Sequence, residues 1–263
     1  MKSRPKPAST YGTRLPGLPK EPLRGHLIVI EGPDGSGRTT EVGLLRDWLE
    51  IQGHPVVDTG LRRSTLVAEK IDQAKQGHTL GSATLALLYA TDFADQLENK
   101  ILPALAAGST VLADRYIYTL MARAIVRGAS REWAQRLYGF ALKPDLVILL
   151  DAKSEILLHR SIGRYGSLDY WESGMDLSIS PDRFESFFRY QEKIRAEFSW
   201  MAEEYGFHRI DANRAPPAVH ADVRRIVQTV YRDLPTEEAP VRRAVIVPVS
   251  EKDRRAAAES AAN

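Results

Sequence analysis

Ile28-Val-Ile-Glu-Gly-Pro-Asp-Gly-Ser-Gly-Arg-Thr-Thr40 is the stretch that decides the fold. Its opening apolar run, closed by glycine, reads as a short buried strand. The residues that follow place Val42, Leu45, Trp48 and Leu49 on one helical face. Between strand and helix, Gly32 and Gly37 stand at the spacing of the glycines in G-x-x-x-x-G-K-[ST], and Thr39 fills the hydroxyl position. Such glycines let backbone N–H groups converge on phosphate oxygens, and the helix N-terminus adds its positive dipole. Gly32, Pro33, Asp34, Gly35, Ser36, Gly37, Arg38, Thr39 and Thr40 are therefore the expected cradle for the ATP phosphates, with Thr39 holding Mg2+. Arg38 stands where the pattern has lysine, and a planar guanidinium cannot act as a compact point charge. The dinucleotide pattern G-x-G-x-x-G fails because Thr40 occupies its third glycine position. A ligand-free glycine-rich turn is the alternative.

Outward from this loop, short β-rich runs alternate with long helical ones. Strands are expected at 27–31, 55–58, 110–113, 145–150 and 207–210. Helices are expected near 38–51, 65–76, 81–107, 117–127, 131–141, 153–162, 182–204 and 216–232. The alternation implies an α/β chain with a five-stranded parallel sheet and helices on both faces. Gly163–Ser180 breaks it with several glycines around aromatics and reads as a mobile loop. Residues 1–25 hold five prolines and few apolar residues and read as a disordered leader, so order is expected over 26–235. Residues 236–263 read mostly as a disordered tail, with a small edge strand at Val245–Val249 as the alternative.

Composition narrows the chemistry. The 263 residues contain no cysteine, which excludes disulfides, Cys-ligated zinc, iron–sulfur clusters and thiol catalysis and suits a reducing cytoplasm. The six histidines are scattered without metal-ligand spacing. No apolar run approaches the roughly 18 residues of a membrane helix, and the start lacks a signal-peptide core, so neither membrane nor export is expected. The net charge of +2 is uneven: the leader carries six bases against Glu21, leaving −3 for the remainder. That body offers no basic face for nucleic acid.

Further segments resemble one family. Ile30-Glu-Gly-Pro-Asp-Gly-Ser-Gly-Arg-Thr-Thr40 is similar to the opening of the thymidylate kinase family of nucleoside monophosphate kinases. Val111-Leu-Ala-Asp-Arg-Tyr116 resembles its strand ending in Asp-Arg-Tyr, and Lys143-Pro-Asp-Leu-Val-Ile-Leu-Leu-Asp151 its later strand. Leu87-Leu-Tyr-Ala-Thr-Asp-Phe-Ala94 with Ile101-Leu-Pro-Ala-Leu-Ala-Ala-Gly108 resembles its long acceptor-site helix. The four segments cover most of residues 26–212 in order. The resemblance implies a P-loop NTPase fold with a lid loop at about 163–180. It implies ATP and Mg2+ as requirements, a nucleoside monophosphate as acceptor, and a homodimer.

The same resemblance assigns roles. Asp114 and Arg115 emerge at the carboxyl edge of a strand, where α/β sheets bind ligands. Asp114 is expected to anchor Mg2+ through water and Arg115 to hold the acceptor phosphate; a surface salt bridge is the alternative. Asp34 resembles the carboxylate that contacts the acceptor sugar. Arg160 and Arg164 resemble lid arginines that stabilise developing charge, or else form a solvated helix end. Tyr170 stands where the lid pattern has another arginine. Tyr89 is similar to the aromatic that stacks on the base, with Tyr116 and Arg62 also on the acceptor side. Phe93 replaces the arginine expected to read thymine, and Ala122-Arg123-Ala124 falls where the family has Ala-Tyr-Gln, losing a polar group near the base. Tyr89 and Phe93 as plain core is the alternative. The leading expectation is phosphorylation of dTMP to dTDP. A divergent kinase of another phosphorylated small molecule, and a catalytically impaired nucleotide-binding regulator, stay open beside it.

Overall fold

The computed structural model describes residues 9–16, 22–77 and 80–231, apart from the side chains of residues 164 and 165. Five strands form one wholly parallel sheet: β1 (Leu27–Glu31), β2 (Val56–Gly60), β3 (Thr110–Asp114), β4 (Leu146–Asp151) and β5 (His208–Asp211), in the order β2-β3-β1-β4-β5. Every residue of β1 is buried, as expected of a central strand covered on both faces. The two-residue period of a strand then sorts its side chains. Leu27 and Val29 enter one apolar layer with Val111, Ala113, Val147 and Leu149, while Ile28 and Ile30 enter the other with Leu112, Ile148 and Leu150.

The first layer is roofed by α3 (Ser82–Gln96), α4 (Leu102–Ala107), α5 (Ile117–Val126), α6 (Arg131–Leu137) and α8 (Arg183–Tyr205). The second is roofed by α1 (Arg38–Ile51), α7 (Ser154–Tyr165) and α9 (Pro216–Val227), and α2 (Ala68–Gln76) lies beside α3. The single helix expected over 81–107 is α3 and α4 joined by a π-turn at Leu97–Ile101. Pro103 lacks the N–H that Asn99 would otherwise receive, and its ring crowds that carbonyl, so the backbone widens one turn earlier.

Two expectations need correction. Residues before His26 are not uniformly without structure: Thr10 forms an antiparallel bridge with Leu142, and Tyr11 N donates to Ala141 O at 3.2 Å. The Tyr11 ring lies edge-on to Tyr205 at 5.3 Å, and its hydroxyl meets that of Tyr118. The prolines do not prevent this, because one aromatic with a place to pack outweighs a polar context. The expected leader at 1–8 and 17–21, and the expected tail at 236–263, lie outside the described residues.

The segment read as a mobile loop is largely tied down. α7 runs on to Tyr165, a 3-10 turn spans Met175–Leu177, and Asp169 Oδ1 accepts from the N–H groups of Trp171 and Glu172 at 2.9 Å. Ser173 is fully buried, and its carbonyl accepts from Ser186 Oγ at 2.7 Å. Long-range hydrogen bonds hold what glycine content suggested was free.

Candidate active site

β1 ends at the centre of the sheet, so the loop after it opens where neighbouring strands receive connections from opposite faces, the usual ligand crevice. Gly35 and Gly37 take φ values of 84° and 96°, which a side chain would oppose. A Cβ on Gly32 would stand 2.6 Å from the Leu150 carbonyl and from Ser36 Oγ, so β4 and the loop can approach only around glycine. α1 begins at Arg38, and its N-terminus faces the loop.

Arg38 does not extend into solvent. Its Nη1 donates to the carbonyls of Gly32 and Pro33 and to Ser36 Oγ at 3.2 Å, and its Nε pairs with Asp114 Oδ1 at 3.2 Å. The planar guanidinium thus reaches four partners, more than the three donors of a lysine ammonium could serve. Thr39 Oγ1 donates to Asp114 Oδ2 at 2.7 Å, bringing together the hydroxyl and carboxylate expected to serve Mg2+. These are hard oxygen donors beside the phosphate loop, a set that fits a magnesium ion sharing phosphates and waters. Among the described residues no cluster of three or more His, Asp or Glu could hold a metal unaided.

Asp34 is the hub of the site. It is buried, and the guanidiniums of Arg38 (3.7 Å), Arg115 and Arg123 (3.1 Å) all approach it. Arg115 has φ of 74°, a left-handed conformation that costs a non-glycine residue roughly 1 kcal/mol or more and is found mainly where function demands it. The strain is held by hydrogen bonds: Arg115 N donates to Ile30 O at 3.0 Å, and Tyr116 N donates to Glu31 Oε1 at 2.8 Å. Glu31 is fully buried and also accepts from Thr119 N and Thr119 Oγ1. Burial nevertheless pushes its carboxyl pKa up. Among the described residues Arg115 Nε is buried with no hydrogen-bond partner, an unsatisfied donor beside the phosphate loop. Burial and the adjacent Arg123 push its pKa down to about 9, still protonated at neutral pH.

Beyond Asp34 the site opens into a cleft. Tyr89 and Tyr138 line its aromatic side. Leu120, Arg123, Ala124 and Arg127 line another at i, i+3, i+4 and i+7 of α5, and Lys75 and Trp171 lie opposite. Arg127 is spoken for: it pairs with both oxygens of Asp176, at 2.8 and 3.1 Å, and bonds Tyr190 Oη at 3.0 Å.

Tyr89 is thus in the cleft. Phe93 and Tyr116 are not. Phe93 is buried edge-on to Tyr116 at 5.0 Å, and the Tyr116 hydroxyl donates to Leu142 O at 3.0 Å, so both are core. Residues 89 and 93 are one turn apart, but α3 faces the apolar layer at the second. Arg62 is also outside the cleft, pairing with Asp72 on α2. Asp92 and Gln96 brace the turn after β2, through Arg62 N (2.9 Å), Ser64 N (3.0 Å) and Gly60 O (2.8 Å). Arg160 is half-buried on α7 and makes no ion pair among the described residues, and the Arg164 side chain lies outside them.

Sequence reasoning missed Lys75, Arg123, Arg127, Tyr138 and Trp171. For α5 a signal existed, because the i, i+3, i+4, i+7 set carries two arginines. Arg123 adds a polar group to the cleft wall beside Ala124, the position at which one was expected to be lost.

A family model described as thymidylate kinase matches residues 30–223. The probable thymidylate kinase 2 of Saccharolobus solfataricus is 38% identical over 206 residues, covering 78% of this chain and 96% of that protein. The probable thymidylate kinase of Pyrococcus abyssi is 33% identical over 213 residues, covering 78% and 97%. The thymidylate kinase of Ruegeria pomeroyi is 36% identical over 214 residues, covering 78% and 95%. The phosphate loop, strands β2 to β5 and the aromatic cleft beside Asp34 lie within the matched span, which begins inside β1. The chain belongs to the thymidylate kinase family of nucleoside monophosphate kinases.

Proposed function

We propose that this chain transfers the γ-phosphoryl group of ATP to the phosphate of dTMP, giving dTDP and ADP. The observation that carries this is Asp34, which joins Arg38 of the phosphate loop to Arg115 and Arg123 at the mouth of an aromatic cleft. A donor phosphate in the loop and an acceptor phosphate at Arg115 then meet at one carboxylate. Relatives named as thymidylate kinases support the acceptor. This reading displaces both the divergent-acceptor and the regulator alternatives.

The loop N–H groups and the α1 N-terminus hold the ATP phosphates, and Arg38 steadies the charge on the transferring group. Arg115, with its unpartnered Nε, grips the acceptor phosphate. One of that phosphate's oxygens attacks the γ-phosphorus; the bond to the β–γ bridging oxygen breaks, and ADP leaves with the electron pair. The acceptor is already an anion at neutral pH, so no general base is required. Thr39 and Asp114 would hold Mg2+, which when bound neutralises the outer phosphate oxygens. Arg160 and Arg164 are read as lid arginines that steady the developing charge; on the same helix, Ser161 lies close to the phosphate loop, since a Cβ on Gly35 would come within 3.1 Å of its Oγ.

The chain is further read as one kinase domain over 26–235, working in the cytoplasm as a homodimer. No helix among the described residues is long and apolar enough to cross a membrane. Leu66 and Leu87, 68% and 53% exposed beside α2 and on α3, support a self-association face. An ADP-coupled assay across the nucleoside monophosphates tests the activity: dTMP turnover is expected, and none with any acceptor sinks the proposal. Sedimentation at micromolar concentration tests the dimer.

A further inference from the structure

In this chain the α3 position expected to read the base carries Phe93, which is core. Base recognition must come from elsewhere in the cleft. The charged groups there are cationic: Arg123 lies at the mouth against Asp34, and Arg127 is consumed by Asp176 and Tyr190. Lys75, at the end of α2, is different. Its carbonyl accepts from Trp171 Nε1 at 3.2 Å, and its ammonium lies 5.7 Å from the centre of that ring, which seats it at the cleft wall. Among the described residues its ammonium makes no hydrogen bond or ion pair, although it lines the cleft opposite α5.

We infer that Lys75 is the acceptor-specificity residue, donating to a carbonyl oxygen of the pyrimidine that lies against Tyr89. An ammonium has three donors and no acceptor, so it favours a keto edge and opposes an exocyclic amine. Arg123 and Arg127 are also donor-only, and of the cleft's other polar side chains only the hydroxyls of Ser82, Tyr89 and Tyr138 can accept, so Lys75 tilts the cleft toward keto pyrimidines, thymine and uracil, over amino ones.

Electrostatics supports an ammonium poised for such a partner. Burial pulls the Lys75 pKa down to about 8, helped by Arg123 and Arg62 and opposed by Asp169 and Glu172. An accepting carbonyl supplies what burial removes. Affinity for dTMP should then begin to weaken between pH 7 and pH 8 as the ammonium titrates, below the range in which Arg115 would lose charge.

The inference rests on the dTMP reading of this cleft, so equilibrium binding and turnover are both measured on the full chain, with dTMP, dUMP and dCMP as probes. Lys75→Met should lower dTMP and dUMP affinity at least tenfold and dCMP affinity less than threefold, collapsing the keto preference; loss of one charge-assisted hydrogen bond is of that size. Lys75→Arg should keep the preference and remove the decline between pH 7 and pH 8. A keto preference unchanged in Lys75→Met, or wild-type protein that binds dUMP and dCMP equally, overturns the inference. If Lys75→Met fails to fold, the wild-type pH series decides: dTMP affinity flat from pH 7 to pH 8 overturns it. Wild-type protein that binds dTMP selectively without turning it over refutes the kinase reading alone.

Discussion

Arg38 differs from the lysine of the phosphate-loop pattern, and its neighbours say how that works. The guanidinium is satisfied by two loop carbonyls, Ser36 and Asp114 before any nucleotide arrives. A lysine could take over the charge but only part of the bonding. Arg38→Lys should keep kcat within about tenfold. Arg38→Ala, which removes charge from the transferring phosphoryl group, should lower kcat by about a hundredfold or more. Steady-state kinetics with ATP and dTMP checks both. Asp34 shows how a motif residue gains its meaning from partners far along the chain: its place in the loop was evident, but Arg123 is 89 residues away.

Among the elements, α5 is the organiser. Its first turn is fixed by Glu31, and its next two present Arg123 and Arg127. Glu31→Ala would leave the buried N–H groups of Tyr116 and Thr119 without an acceptor. A loss of about 2–4 kcal/mol is expected in urea unfolding. Further along α5, Arg127 fastens the segment around Trp171–Leu177 through Asp176 and the Trp171 carbonyl. Arg127→Met should raise hydrogen exchange of residues 169–177 at least tenfold and leave β1 and β4 unchanged. Exchange read by mass spectrometry decides whether this contact, rather than the glycines, sets the mobility of the segment.

At the scale of the molecule, the stretch around Tyr11 lies outside the family-matched span yet reaches the first core layer. Tyr11→Ala removes an aromatic ring and a hydroxyl from the Tyr118–Tyr205 cluster and should cost about 2 kcal/mol or more. Tyr11→Phe should cost about 1 kcal/mol by removing the hydroxyl contact alone. Thermal melts of both variants test whether the extension belongs to the folded unit. Much of that unit was legible beforehand. All five strands fall within two residues of expectation, because short apolar runs between turn residues admit few alternatives. The π-turn and the packed segment around Asp169 were not legible, since both depend on where carbonyls and distant side chains end up.

By itself, then, the order of residues determined a parallel α/β sheet and a phosphate loop at its centre. Short apolar runs bounded by turn residues and the Gly32–Gly37 spacing are local properties that survive any packing. Only the tertiary structure decided which side chains form the acceptor cleft. Tyr89 and Phe93 are four residues apart on α3, yet one lines the cleft and the other is core. Lys75, Arg123 and Trp171 come from three separate elements and meet only because α2, α5 and the segment after α7 converge. A helix has one periodicity but several neighbours, and what each of its faces meets is set by those neighbours.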